Sequence, residues 1–368
     1  MRTLSYIIFI IAFTSCTNLW SQVKYSNEYL SIGVGARAHG LSNAQVASVK
    51  DVSSSYWNPA GLAHITSPFQ AAAMHAEWFA GIAQYDYLGI AKPLKNINSS
   101  VVSISLVRFG VDNIPNTLRL VSPDGSINFD NLTTFSATDY ALFLSYGQKL
   151  KNPKISVGGS AKVIRRVIGR FANAWGFGID LGAQYTGENW VFGIMGRDIT
   201  STVNTWSAKL NEEERFVFLQ EGQAIPENSI EITRPRVILG AAYKKAFSEK
   251  VNFLAETNFD FTTDGQRNVL ISSKYVNIDP KLGFEIGYNN FIYLRGGIGN
   301  FQSALDDIDG QSKIFTFQPN FGIGLKLGAF NLDYALTDLG DVSQVLYSHI
   351  FSVSIDFKSK ELQVIDLR

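Results

Sequence analysis

From about residue 67 to residue 357, apolar side chains exchange places with polar or small ones at nearly every position, the period of a strand with one greasy face. In AWGFGIDLGAQY, Trp175, Phe177, Ile179, Leu181 and Tyr185 form one phase and Gly176, Gly178, Asp180, Gly182 and Gln184 the other. FNLDYALT repeats the beat, with Phe330, Leu332, Tyr334 and Leu336 set against Asn331, Asp333, Ala335 and Thr337. The pattern predicts fourteen strands, near 67–80, 82–92, 98–109, 138–148, 154–168, 173–186, 189–198, 234–246, 250–262, 281–288, 291–299, 313–327, 329–337 and 345–357. NVLISSKYVNI, residues 268–278, also reads as strand; it is placed as a hairpin inside the ninth connection, because counting it as wall breaks the parity described next.

The even-numbered connections are tight: PLKNIN, KLKNP, GEN, AFSEK, NN and LGAF. Connections three, seven, nine and eleven are long, near 110–137, 199–233, 263–280 and 300–312. A soluble sandwich has no reason to place its long loops at one end. The expected class is all-β, a transmembrane antiparallel barrel of about fourteen strands with short periplasmic turns and both termini in the periplasm. Glycine together with Asp, Arg and Gln in the polar phase suits a lumen. The last strand, VLYSHIFSVSIDF, ends on an aromatic, as barrel-assembly signals do, and a polar tail at 358–368 is expected to hang in the periplasm.

Composition agrees. Phe (26), Tyr (15) and Gly (31) are abundant while charged residues make up 17%, and the formal net charge is zero, so no basic field exists to hold nucleic acid. Arg2 followed by an apolar run from Leu4 to Phe13 reads as a signal peptide, residues 1–21, cut after Ser21. The alternative is a lipoprotein box in which Cys16, the single cysteine, is lipidated. Beyond this leader no apolar run reaches the eighteen or so residues of a membrane helix, so any crossing is by strands. With no disulfide available, stability must come from wall hydrogen bonds and apolar burial.

Residues 22–66 do not alternate, and ARAHGLSNAQVASV has the small-residue spacing of a short helix. Such a segment cannot cross a bilayer alone, and a barrel of this size has a lumen to fill, so it is expected as a plug, with the wall at 67–357. SIGVGARAHGLSNAQVASVKDVSSSYWNPAGLA resembles the N-terminal signature of the PorV/PorQ family of outer-membrane proteins, relatives of the FadL-type long-chain fatty-acid transporters. The match rests on Asn58, Pro59 and Ala60 with Trp57 before and Gly61 after, on Ala36-Arg37-Ala38 upstream, and on Gly283, Glu285, Leu294, Arg295, Gly296 and Gly297 in GFEIGYNNFIYLRGGIG. It departs from PorV where Gly35 precedes Ala36 and Leu41-Ser42 stands for Met-Gly, as in a paralogue.

The resemblance implies a non-enzymatic accessory role in type IX protein secretion, docking translocon, sortase or sorting-domain cargo. The alternative it implies is FadL-like transport of a hydrophobic small molecule across the outer membrane. Outer-membrane lipid is a partner in both cases. Asn58 and Pro59 suit a turn that anchors the plug better than a substrate contact. Arg37 reads either as a contact for an anionic ligand in the lumen or, more commonly for an arginine so placed, as the partner of a wall carboxylate such as Asp180 or Asp333, and Arg108, Arg165, Arg166 and Arg197 read either as a lumenal ladder or as strand-end arginines. In the seventh connection Trp206, Phe216, Phe218 and Leu219 surround a charged run, which suits a partner surface, a lid, or a loop folded over the mouth. His39, His64, His75 and His349 lack metal-ligand spacing, no Walker loop or zinc signature is present, and no Ser-His-Asp arrangement is visible. No metal, cofactor or enzymatic activity is expected.

Overall fold

The computed structural model describes residues 26–78, 81–94, 99–120, 126–220, 225, 227–305, 312–337 and 347–357. The leader, the tail and the start of the last expected strand, Val345 included, lie outside them. Sixteen strands are present: β1 (Phe69–Trp78), β2 (Ala83–Pro93), β3 (Val101–Asn116), β4 (Thr133–Lys149), β5 (Ile155–Ile168), β6 (Ala172–Thr186), β7 (Trp190–Arg197), β8 (Thr202–Ala208), β9 (Ser229–Thr233), β10 (Arg236–Ala246), β11 (Val251–Thr262), β12 (Asn277–Tyr288), β13 (Ile292–Leu305), β14 (Lys313–Leu327), β15 (Phe330–Thr337) and β16 (Ser348–Phe357). Fourteen of them form a closed antiparallel barrel, with β16 pairing back onto β1, β5 onto β6, and β7 onto β10.

The two additional strands correct the expected seventh loop. β7 breaks after Arg197, where Asp198 and Ser201 take positive φ, and β8 resumes along the far half of β6, pairing Phe177 with Val203 and Ala172 with Ala208. β9 pairs with β8 and leads back into β10, so part of the seventh loop raises the wall. The break is braced by Lys162, whose Nζ lies 2.8 Å from Asp180 and 2.6 Å from Asp198. Lys162 and Asp180 are buried, so each charge depends on the other for its solvation. Elsewhere β3, β4 and β13 run further toward the long-loop mouth than the alternation predicts. The segment at 268–278 makes one bridge, Ile271 to Ile278, and its end enters β12.

The phases fall as the pattern requires. Leu88, Ile104, Trp175, Phe177, Leu181, Phe192, Phe284 and Phe321 face outward, most of them about half exposed, which is the surface of a wall that faces lipid. Among the described residues no helix is long and apolar enough to cross a membrane. The plug, from Ser26 to Thr66, fills the interior. Its helices are short: α1 (Ala36–Gly40) and α2 (Ser54–Trp57), joined by turns and flanked by 3-10 turns at Glu28–Ser31 and Pro59–His64. The helix expected through Val49 stops at Gly40 because Ser42 and Asn43 take positive φ and turn the chain, and further along wall side chains take several of its backbone groups. The Ala47 and Ser48 N–H groups donate to Glu256 at 2.7 and 3.1 Å, and Gln184 donates to the carbonyls of Val46 and Val49.

Candidate functional site: the plug seat and the polar vestibule

Asn58 and Pro59 sit on a pad of glycines. Gly147, Gly158 and Gly182 are in register across β4, β5 and β6, all facing inward. A Cβ on Gly158 would meet the Pro59 carbonyl carbon at 2.4 Å, and one on Gly182 would meet Asn58 Oδ1 at 2.0 Å. The wall therefore lacks side chains where the motif lies against it. Asn58 caps the turn that follows by accepting from the Ala60 N–H at 3.2 Å. Its amide donates to the carbonyls of Val46 at 3.0 Å, Ala183 at 3.2 Å and Ile194 at 3.4 Å, joining two plug segments to two wall strands. Gly61 is held against the Val49 carbonyl and Ser54, and Ala60 is fully buried. Trp57 donates from Nε1 to the Val34 carbonyl at 2.8 Å.

Arg37 pairs with neither carboxylate expected for it. Its Nε lies 3.0 Å from Glu285 Oε2 on β12, with Gln45 as a further acceptor at 3.1 Å. Asp180 is engaged by Lys162, and Asp333 by Arg295 at 2.6 Å. Arg295 also reaches Glu285 at 2.6 Å, so the chain runs Arg37–Glu285–Arg295–Asp333 from plug to wall. Burial works against the charge of Arg37, and the Glu285 carboxylate more than offsets it, leaving the guanidinium pushed above its usual value. The expected ladder of four arginines divides. Arg166 and Arg197 face inward, the first on Asp139 and the second donating to the carbonyls of Leu30 and Tyr56. Arg108 and Arg165 lie on the outward phase, against Asp86 and over the Trp175 ring.

The lumen is two-sided. The inward faces of β1 to β4 carry Met74, Trp78, Tyr85, Tyr87, Phe109 and Phe143, packed with Tyr29, Tyr56 and Trp57 of the plug. Across from them, the mouth at the long-loop end opens into a cavity of about 360 Å³ whose lining residues are mostly of polar type, among them Asn277, Asn300, Gln318, Asn320 and Thr337 from the wall and Ser42 and Asn43 from the plug. Its charges are matched: Arg236 with Asp260 at 3.1 Å, Lys281 with Asp279 at 3.6 Å, and Arg267 with Asp264 and Glu28. His39, at its floor, is buried, which lowers its pKa to about 4 against a smaller opposing effect of the Gly33 carbonyl, so the ring is neutral. Alternation along single strands does not reveal this vestibule, because its residues come from β10 to β15 and meet only through the closed barrel.

Of the residues expected to dock a partner, Trp206 faces inward, its ring under Arg166 at 5.0 Å, and is removed from any outer surface. Phe216, Phe218 and Leu219 lie on α3 (Glu212–Gln220). Asn211 and Glu214 begin that helix as a reciprocal cap, each accepting from the other's backbone N–H at 2.9 Å. Phe216 and Leu219 are 59% and 62% exposed, while Glu214 to Arg170 and Glu213 to Arg119 tie the helix down. His64 neighbours Ser156, His75 is on Asp86 and His349 on Tyr334, so the four histidines occupy separate surroundings.

No family model and no curated protein matches the chain. Solved structures do. The CymD monoaromatic hydrocarbon channel superposes with a TM-score of 0.55 at 11% identity, over 92% of this chain and 100% of that one. The Pseudomonas putida toluene transporter TodX follows with 0.54 at 14% identity, over 88% and 98%, and a Pseudomonas aeruginosa FadL homologue with 0.53 at 12%, over 88% and 98%. The fold is FadL-like. The wall alone is under four-fifths of the chain, so these superpositions extend beyond the strands. The narrower resemblance to PorV and PorQ rests on the sequence motifs.

Proposed function

We propose that this protein is an outer-membrane channel for small hydrophobic molecules, gated by its plug, with the long-loop mouth outside and both termini in the periplasm. The observation that carries the reading is the aromatic half of the lumen, apposed to a plug small enough to shift. The FadL-like fold supports it, as does the likeness to proteins described as hydrocarbon channels. Ser55 of the plug and Ser105 of β3 have hydroxyls 2.7 Å apart, which makes them a natural pair for a locking disulfide. Uptake of labelled toluene and of a labelled fatty acid should fall in a deletion strain, return with the wild-type gene, and depend on reductant in the strain carrying cysteines at both positions. Undiminished uptake in the deletion strain would remove the channel reading; undiminished uptake through the oxidised pair would remove the gate.

A second reading, docking of type IX secretion components, is favoured by one feature: Phe216 and Leu219 stand exposed on a helix that ion pairs hold in place. Under it, a tagged barrel should co-purify with a translocon subunit or a sortase, and Phe216→Ser with Leu219→Ser should abolish the association. Recovery of neither protein with the wild-type barrel would eliminate this role.

A further inference from the structure

On the outside of the barrel the apolar band is uneven in height. A membrane strand climbs about 2.5 Å per residue at its usual tilt, and the lipid-facing band of such barrels is about 25 Å tall. On β14 every outward position from Leu327, at the short-turn end, to Phe315 is apolar, a climb of twelve residues or about 30 Å. On β1, β2 and β3 the band ends after six residues: His75 stands six above Phe69, Asp86 six above Lys92 and Arg108 six above Val102, a height of about 15 Å. The foot of this short band is marked by aromatic contacts. Phe69 packs on Phe357 with ring centroids 5.2 Å apart, and Tyr146, in one cross-strand row with Val102 and Lys92, meets the Ser100 hydroxyl at 2.9 Å. Tilting the barrel moves foot and head together and cannot lengthen the band.

The residues at its head form one in-register row. His75 Nδ1 lies 2.7 Å from one oxygen of Asp86, and Arg108 lies 3.0 Å from the other. Their side chains keep 52%, 33% and 27% of their surface open, so the row does not satisfy itself. Ionisable groups within hydrocarbon turn to a protein interior or to water, yet these three face outward, and pairing offsets only part of the cost of stripping their water. We propose that the wall of β1, β2 and β3 thins the membrane, drawing the headgroups of the leaflet on the long-loop side down to the His75–Asp86–Arg108 row. Headgroups supply phosphate oxygens and water to a row that carries both signs of charge, and hydrocarbon supplies neither. The wall below the row suits acyl chains: Ala71 and Ala73 leave β1 low, and shallow apolar grooves of about 500 and 470 Å³ flank it, one along Leu325, Leu332 and Val353 and the other along Ile90, Ile104 and Leu144. The inference concerns the wall alone and stands whether or not the barrel conducts.

The test attaches a nitroxide to Leu106→Cys or to Phe321→Cys, which lie five and six residues from the short-turn ends of their strands, Val101 and Leu327, and so at matching heights. The plugged barrel is refolded at low density in vesicles of dioleoylphosphatidylcholine. Collisions of the label with a water-soluble nickel chelate are compared with collisions with oxygen, which concentrates in hydrocarbon. The nickel-to-oxygen ratio should be several-fold higher at Leu106 than at Phe321. His75→Leu, Asp86→Leu and Arg108→Leu together extend the band and leave no charge of the row unpaired, and they should move the Leu106 ratio most of the way to that of Phe321. If this triple variant does not fold, the two labels in the otherwise unaltered barrel decide the matter. Equal ratios at the two positions would overturn the proposal, as would a high ratio at Leu106 that survives the triple variant. Few collisions with either reagent at Leu106 would mean that a second copy of the chain covers the wall, and would overturn it as well.

Discussion

Adjacent residues on β5 allow the plug seat to be tested with one methyl group. Gly158 faces inward under Pro59, and the Cβ of an alanine there would lie 2.4 Å from the Pro59 carbonyl carbon and 2.6 Å from the Ala60 nitrogen. Those are backbone atoms, fixed by the Asn58 cap, and cannot swing aside as a side-chain tip would. Gly159 faces outward, where a Cβ would meet only a Leu181 methyl at 3.0 Å and a carbonyl at 3.5 Å. The two substitutions thus share strand, chemistry and β-propensity but differ in face. Overpacking of this kind costs about 1–3 kcal/mol. Wall hydrogen bonds are untouched, so the cost falls on seating and shifts the seated-to-unseated ratio by roughly 5- to 150-fold. Trypsin cleavage after Arg37, whose guanidinium is held by Glu285 while the plug is seated, reads that ratio directly. Gly158→Ala should be cut faster and conduct more in planar bilayers, and Gly159→Ala should match wild type in both. Equal behaviour of the two variants would refute the seat.

Three further outcomes follow from the same contacts. Glu285→Gln strands Arg37 and should cost about 3–5 kcal/mol, read as a lower temperature for the heat-modified shift on gels, whereas Arg37→Met with Glu285→Met should recover most of it. His39 titrates near 6.5 when released and near 4 when seated, so its neutral form contributes seating stability above pH 6.5 that is lost as pH falls toward about 4. Up to about 3 kcal/mol is involved, His64 shifts in the same direction, and conductance in planar bilayers should rise as pH falls over that window; a flat pH profile would contradict it. A cysteine at Glu213 should react with an impermeant thiol reagent on intact cells and one at Asn152 should not; equal labelling would refute the proposed orientation.

The wall was legible because its signal is local: each strand carries its own alternation, and Trp175, Phe177 and Leu181 face lipid as their phase requires. The plug was legible by exclusion, as the one stretch that does not alternate. Partnerships inside the barrel were not, since the polar phase reads alike whether it meets water, the plug or another strand. Asp180, Glu285 and Asp333 occupy equivalent inward positions; the first goes to Lys162 on the neighbouring strand of its own hairpin, whereas only the seating of the plug inside the closed barrel gives the second to Arg37. Trp206 parts from the other aromatic and apolar residues of the seventh loop for a related reason. Trp206 belongs to a strand that raises the wall, and the positive φ values at Asp198 and Ser201 that begin it have no alternation signal.

The chain Arg37–Glu285–Arg295–Asp333 decides how tightly the plug is held. Arg295 is buried and lies between two carboxylates, so it competes with Arg37 for Glu285. When Arg37 leaves with the plug, one guanidinium remains for two carboxylates, and the residual negative charge draws the plug back. Arg295→Met should therefore move two measurements in opposite directions. The barrel should lose heat stability, because Asp333 is left without its cation. Seating should strengthen, because Glu285 then serves Arg37 alone, and cleavage after Arg37 should slow. If cleavage after Arg37 accelerated together with the loss of heat stability, Arg295 would be a positioning residue that aims Glu285 at the plug rather than a rival for its charge.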